Sequence, residues 1–193
     1  MRSWHPRHVP CLRSRERVAA SGPVASKAVD LLPFGEYAAS LNRKRTAAGV
    51  LFRDERSRIL LVETTYKPEW EIPGGAVEAE EAPWATATRE LREELGITRP
   101  LGNLLVIDHI PAQGVMPEGL AFVFDGGLIT DEEVHGIDSA DPEIRSVGLY
   151  SLNDARSLVK PALYDRLCAA LRAAQISTLI LCDAGRPTTV DQC

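Results

Sequence analysis

Residues 75–97 read GAVEAEEAPWATATRELREELGI. Gly75 is followed by five residues and Glu81, then by seven residues and Arg89-Glu90-Leu91-Arg92-Glu93-Glu94-Leu95-Gly96-Ile97. Pro83 suits a first helical turn and Gly96 a helix C-terminus, so the spacing predicts one helix between them. Each helical residue turns the chain by about 100°. With Leu91 at zero, Glu94, Glu90 and Glu93 fall near about −60°, −100° and −160°. Trp84, Leu95 and Thr88 fall near about +20°, +40° and +60°. An acidic face and a mostly apolar stripe of Trp84, Thr88, Leu91 and Leu95 are thus expected on different sides, the stripe against a sheet. Three carboxylates so placed repel one another and need cations once enclosed. Oxygen-only donors select hard ions, Mg²⁺ or Mn²⁺. The alternative is a merely solvated charged face. The preceding Pro73-Gly74-Gly75 weighs against it, because glycines let bare backbone come close to the acidic helix.

Outward from this segment, apolar runs at 47–52 and 59–63 flank residues 54–57 as in a hairpin. Further strands are expected at 70–72, 104–110, 120–124, 144–151 and 178–182. A short helix is expected at 34–42. A longer one runs from Asn153, as N-cap, to Ala174, with Leu158, Leu163, Leu167 and Leu171 near helical spacing and Pro161 as a point for a kink. Strands, a helix, more strands and a helix predict an α/β fold: a mixed sheet with helices on both faces.

The chain has 193 residues, enough for one domain with a substantial core. Residues 1–33 read as a poorly ordered basic extension, 34–187 as the domain and 188–193 as a tail. An upstream start codon would equally explain the extension. The net charge of −5 is uneven: residues 1–45 hold nine Lys/Arg against three Asp/Glu, and the rest hold 13 against 24. An acidic body argues against a nucleic-acid-binding surface. It does not exclude a phosphate substrate, since a divalent cation can supply positive charge. Cys11, Cys168, Cys182 and Cys193 form no Cys-x-x-Cys pair, which fits unpaired thiols in the cytoplasm. No apolar run approaches the roughly 18 residues of a membrane span, and the N-terminus does not read as a signal peptide.

The Gly75–Ile97 segment resembles the Nudix box, Gly-x5-Glu-x7-Arg-Glu-U-x-Glu-Glu-x-Gly-U with U aliphatic, at every specified position. With seven fixed residues at typical usage, the chance per starting position is on the order of 10⁻⁸. The resemblance runs from about Phe34 to Pro187. Residues 67–75 resemble the family's lead-in, and 179–187 a C-terminal strand of many actinobacterial members. It implies an α/β/α sandwich and an enzyme, a pyrophosphohydrolase that cuts a phosphate–phosphate link in a nucleoside-diphosphate derivative with Mg²⁺ or Mn²⁺. It implies that Glu90, Glu93, Glu94 and the Gly74 carbonyl are metal ligands. Glu81 and Arg89 would brace the loop–helix unit, with Arg89 orienting the carboxylates, and Gly75 and Gly96 would be structural. Two positions depart from the commonest pattern. Glu80 stands where many members have Gly, and a left-handed backbone there costs about 1–2 kcal/mol. Ala82 stands where Ser or Thr often caps the helix, a loss of about 1 kcal/mol.

Hydrolysis also needs a base. Glu93 and Glu90 are the helix candidates, and Glu143 is the loop candidate, with Asp141 behind it. Tyr66 and Trp70 flank the Gly-Gly loop as candidates for stacking on a base or ribose, although aromatics also serve as core. Phe122 and Phe124 read as core, Arg43-Lys44-Arg45 as a solvated basic cluster, and His109 as a satisfied core or rim histidine. His135 has no partner legible in the sequence. A ligand-binding Nudix domain without turnover would be signalled by a lost box carboxylate, and none is lost. The isopentenyl-diphosphate isomerase branch uses a cysteine before the box, and none lies between Cys11 and Cys168. ADP-ribose-type members often carry a proline about fifteen residues beyond the box, near where Pro111 stands. That ranks ADP-ribose or a related nucleoside-diphosphate sugar first and a nucleoside triphosphate second. The expected partner is this small molecule, with no nucleic acid and no membrane; a homodimer is left open.

Overall fold

The computed structural model describes residues 32–137 and 141–188. The expected extension through residue 31, Cys11, Cys193 and residues 189–193 of the expected tail lie outside the described residues. The chain divides into two units, 1–41 and 42–193. In the first, helix α1 (Phe34–Ser40) buries none of its side chains.

In the second unit the described strands form one eight-stranded sheet. They are β1 (Arg45–Arg53), β2 (Ile59–Thr64), β3 (Gly74–Ala76), β4 (Leu104–Ile110), β5 (Gly119–Leu128), β6 (Ile144–Tyr150), β7 (Ile180–Asp183) and β8 (Arg186–Pro187). The order is β6-β2-β1-β5-β4-β7-β8, with β3 paired to β1. The pairs β1–β5 and β4–β7 are parallel and the others antiparallel, a mixed sheet as expected. Strands buried on both faces read as unbroken apolar runs, and β1 and β2 show why. In β1, Val50 and Phe52 join one apolar cluster and Leu51 the other; in β2, Leu60 and Val62 oppose Ile59 and Leu61. Helices α2 (Pro83–Leu95) and α3 (Asp131–His135) close the first cluster through Ala87, Leu91, Leu95 and Val134. Helices α4 (Leu152–Leu158) and α5 (Pro161–Ile176) close the second through Ala155, Leu163 and Leu167. The result is an α/β/α sandwich.

The expected hairpin is opened by a third segment. β1 and β2 share the register pair Arg53↔Ile59 beside their turn. Beyond it, residues 71–76 lie between them: Glu71 bridges to Val62 of β2, and Gly74 pairs with Gly49 of β1. The strand expected at 70–72 is therefore a single bridge, and the strand proper is Gly74–Ala76. β2 instead pairs along its length with β6, from Ile59↔Tyr150 to Thr64↔Ile144.

Three further expectations are corrected. The stripe on α2 is Ala87, Leu91 and Leu95, with Thr86 also buried. Trp84 is 63% exposed and Thr88 faces solvent, its hydroxyl donating to the Trp84 carbonyl at 2.9 Å. Small Ala87 brings the helix close to the sheet, while Trp84, about a turn earlier, belongs to neither apolar cluster. The long helix is two helices. Pro161 has no N–H and disfavours helical backbone at the residue before it, so Val159 and Lys160 are extended and Pro161 starts α5. The N-cap of α4 is Ser151, not Asn153; its hydroxyl oxygen accepts the Asp154 N–H. Helix α3 was not expected, although Thr130 and Glu133 form a full capping box there.

One buried ion pair ties the α5 face together. Asp108 on β4 is fully buried and accepts from Arg166 Nε at 2.7 Å and from the Gly185 N–H at 3.0 Å. Cys168 and Cys182 are free thiols. Among the described residues no helix is long and apolar enough to cross a membrane.

Because Leu91 is 1% exposed and Trp84 63%, Leu91→Ala should cost about 2–5 kcal/mol. Trp84→Ala should cost less than about 1 kcal/mol. Urea denaturation of both variants checks this; a larger loss for Trp84→Ala would place the inward face of α2 wrongly.

Candidate active site

The backbone of β3 fixes where the carboxylates of α2 can stand. Gly74 has φ 144°, and a Cβ there would lie 2.2 Å from the Ala48 carbonyl oxygen. A Cβ on Gly75 would lie 2.3 Å from Glu90 Oε1. Gly74 must be bare because β1 backbone fills that space, whereas a side chain at Gly75 would displace the Glu90 carboxylate of α2. The Gly74 N–H donates to Glu94 Oε2 at 2.8 Å. At the entry to α2, Glu80 takes the left-handed backbone (φ 64°), and Ala82 provides no side-chain cap. The helix ends at Gly96, φ 65°, whose N–H bonds back to the Arg92 carbonyl.

Arg89 organises the acidic face. Its Nε and Nη2 donate to the two oxygens of Glu81 at 3.0 and 3.1 Å, a fork geometry that only a guanidinium offers. Its Nη1 donates to Glu90 Oε1 and Glu93 Oε2, each at 2.9 Å. Glu81 also accepts from the Thr86 hydroxyl at 2.6 Å and the Glu78 N–H at 3.2 Å. These bonds, Arg89's first, hold the Glu81 carboxyl down to about 2.

Glu94 and Glu90 are shifted the other way. Burial pushes the Glu94 carboxyl up to about 8, the Gly74 N–H opposes the shift, and the charges of Glu90, Asp141 and Glu143 add to it. Burial likewise raises Glu90, against the pull of Arg89. The loop acids are positioned by the end of β2. The Thr65 N–H donates to the Glu143 carbonyl at 2.8 Å, and the Glu143 N–H to Asp141 Oδ1 at 2.8 Å. The Thr64 hydroxyl is buried with no hydrogen-bond partner, the one such side-chain atom among the described residues.

Among the described residues, no three of these groups converge, as they stand, at ligand distance from one point. Glu90 and Glu93 lean on Arg89, and Glu94 on Gly74. The donor set nevertheless fits a hard divalent cation. It is all oxygen, its innermost members are partly desolvated like charges, and burial raises them toward neutrality unless positive charge arrives.

The remaining expected residues fall into two groups. Tyr66 is 64% exposed, with Lys67 Nζ 5.4 Å from its ring centroid. Trp70 is partly buried against the α5-side cluster, in a T-shaped contact with Tyr150 at 5.0 Å between ring centroids. Away from the acidic face, His109 binds Asp183 at 2.7 Å and Glu118 at 3.2 Å, and Lys44 also pairs with Glu118. His135 Nδ1 bonds the Asp131 carbonyl. Thr86 and the Gly74 N–H were not foreseen. A hydroxyl five residues after Glu81 was the signal for Thr86; nothing local signals the N–H, because its role depends on β3 lying beside α2.

The sequence model of the NUDIX domain matches residues 43–169. Diphosphoinositol polyphosphate phosphohydrolase 2 of Rattus norvegicus is 46% identical over 66 residues, 33% of this chain and 37% of that protein. Diphosphoinositol polyphosphate phosphohydrolase 3-alpha of Homo sapiens is 45% identical over 64 residues, 32% of this chain and 39% of that protein. The chain thus spans well under half the length of these curated relatives. Among solved structures, a MutT protein from Methanosarcina mazei Go1 superposes with a TM-score of 0.55 at 23% identity, covering 72% of this chain and 99% of that one. A UDP-X diphosphatase gives 0.59 at 17% identity, covering 79% and 76%. At such identities these structures share the fold.

The Glu81 carboxyl lies below its ordinary value of 4.5 in the folded chain. Its contribution to stability is therefore complete above about pH 4.5 and lost as pH falls toward about 2. Glu81→Gln should lower the melting temperature near neutral pH, and its gap to the unsubstituted protein should narrow through that acid window. Melting curves from pH 2 to 6 test this; a gap independent of pH would show that the Glu81 charge does not brace the loop.

Proposed function

Because the chain belongs to the Nudix family, we propose that it is a divalent-metal-dependent pyrophosphohydrolase that cuts the phosphate–phosphate link of a nucleoside-diphosphate derivative. The observation that carries this reading is the half-enclosed carboxylate group on α2 pressed against the Gly-Gly backbone. Glu94 is raised to about 8 in a ring of like charge, an arrangement that costs stability unless a cation is taken up.

Glu90, Glu93 and Glu94, with the carbonyl of Gly74, would hold Mg²⁺ or Mn²⁺. The ion would supply charge neutralisation on the phosphates and an activated water. Arg89 keeps the Glu90 and Glu93 carboxylates aimed to one side of the helix, and Glu81 fixes Arg89. Glu143 is exposed on a tethered loop whose charge reaches Glu94. It is the loop candidate that would take a proton from the attacking water; Glu93, 46% exposed, is the helix alternative. Tyr66, exposed with Lys67 Nζ over its ring, is the aromatic that would lie along a base or ribose. Trp70 is left with a packing role.

ADP-ribose or another nucleoside-diphosphate sugar ranks first and a nucleoside triphosphate second. The curated relatives carry diphosphoinositol polyphosphate in their names, and such a ligand calls for a surplus of cations. Residues 46–193 hold 13 Lys/Arg against 24 Asp/Glu. The cations nearest in sequence to the loop acids and Tyr66 are spent in pairs, Lys67 with Glu71 at 2.8 Å and Arg145 with Glu63 at 2.9 Å. Few charges are left for a heavily phosphorylated ring, so that reading ranks below the nucleotides.

Purified protein assayed against ADP-ribose, UDP-glucose, nucleoside triphosphates and a diphosphoinositol polyphosphate, with Mg²⁺ and Mn²⁺, tests the ranking through the products formed. On the responsive substrate, Glu93→Gln should lower turnover more than about 100-fold, beyond the loss typical of groups that merely support ligands. Its metal-free melting temperature should stay close to that of the unsubstituted protein, since the loss of a repelling charge offsets the loss of the exposed Arg89–Glu93 pair. Glu78→Gln, outside the fixed box positions, should keep most activity. Turnover that persists in excess chelator, or near-normal turnover by Glu93→Gln, would reject the mechanism.

A further inference from the structure

At the other end of the sheet, an open surface depression of about 340 Å³ lies between the β1–β2 turn and helices α4 and α5. Its volume is at the lower end of the range for small-molecule sites. It is well separated from the box: Glu143 and Ser151 flank β6 at opposite ends, roughly 25 Å apart at strand rise.

The lining of this depression departs from the rest of the molecule. It holds Arg56 and Arg172, and the side chains of Ser57, Asn153 and Gln175 beside them, over a floor that includes Leu171. No Asp or Glu lines it, although residues 46–193 carry nearly twice as many acidic as basic residues. Most described cations of this unit are held: Arg53 by Asp125, Arg58 by Asp54 and Asp131, Arg99 by Glu133, Arg166 by Asp108. Arg56 and Arg172 make no side-chain hydrogen bond, ion pair or ring contact among the described residues. Asp154, next to Asn153 in sequence, takes the Ser151 hydroxyl at 2.7 Å and thereby spends that donor.

We propose that this depression binds a small phosphate-bearing anion, at a site distinct from the box. The two guanidiniums supply forked donors that match phosphate oxygens, and the amide and hydroxyl groups complete the hydrogen bonding. The available volume suits an inorganic diphosphate or a sugar phosphate rather than a dinucleotide. The site stands whether or not the box turns substrate over.

The test is a titration of the ¹⁵N-labelled full chain with inorganic pyrophosphate, in excess chelator and at constant ionic strength, followed by amide shifts. Without metal the box carboxylates repel the probe, so the two sites are separated. Saturable shifts at Ser57, Asn153 and Gln175 are expected. The double variant Arg56→Gln/Arg172→Gln should bind at least about tenfold more weakly, with its melting temperature unchanged because both side chains are exposed. A second arm compares ribose 5-phosphate with inorganic phosphate: tighter binding of the sugar phosphate assigns an organic ligand, and equal binding assigns the free anion. Shifts confined to residues 74–94, the absence of saturation, or unchanged affinity in the double variant would overturn the proposal.

Discussion

Residues 71–76 occupy the gap between β1 and β2 and are bonded to both. The Val62 N–H donates to the Glu71 carbonyl at 2.8 Å, the Glu71 N–H returns to the Val62 carbonyl at 3.0 Å, and the Val50 N–H donates to the Pro73 carbonyl at 2.9 Å. A segment held on both sides cannot shift to make room. Its geometry therefore dictates that position 74 lacks a side chain, and a side chain at 75 would push aside the Glu90 carboxylate of α2. The catalytic chemistry proposed for this chain rests on that fit. The Glu94 carboxylate meets the Gly74 N–H, and the Glu90 carboxylate fills the space a Gly75 side chain would take, because strand pairing elsewhere has already fixed the backbone.

Two carboxylates belonging to one helix and its lead-in, Glu81 and Glu94, sit at opposite extremes. Glu81, wrapped by Arg89 and Thr86, is held down to about 2, and Glu94, buried among acids, is pushed up to about 8. The first shift favours the folded state at neutral pH and the second opposes it. Arg89 joins Glu81 to the acidic face, because the guanidinium that stabilises Glu81 also holds the carboxylates of Glu90 and Glu93. The brace thus offsets part of the cost of gathering the acids. It also explains why an Arg stands there: Lys has one ammonium and no fork with which to hold three carboxylates in fixed directions.

How far the fold was legible follows from the range of each interaction. β4, bounded at Leu104–Ile110, and the termini of α2 were readable because apolar runs and local backbone chemistry define them. The box was readable because its residues lie within about six helical turns. Placement across the sheet was not. The wedge of 71–76, the Asp108–Arg166 pair joining β4 to α5, and the burial of Ala87 in place of Trp84 each depend on elements distant in the chain. Pro161 was read as a kink and is a break, since the extended residue before it leaves no helix to bend. Helix α3 is a different case: Thr130 and Glu133 at capping-box spacing were in plain view, but five residues give too little periodicity to register.

The charge distribution joins the two ends of the molecule. A body with an excess of acids repels phosphates at long range, and the box concentrates that repulsion on α2 and the loop of Asp141 and Glu143. Without positive charge among them, these side chains exclude the very substrate class the family resemblance implies. With the proposed metal dependence, substrate affinity at the box would be linked to cation occupancy, and by reciprocity substrate would tighten the cation. At the far depression no such condition applies, because two guanidiniums without described partners stand where no acid lines the wall. The same chain thus presents anions with one site that is conditional on metal and another that is not, and the difference arises from which arginines the fold has already paired.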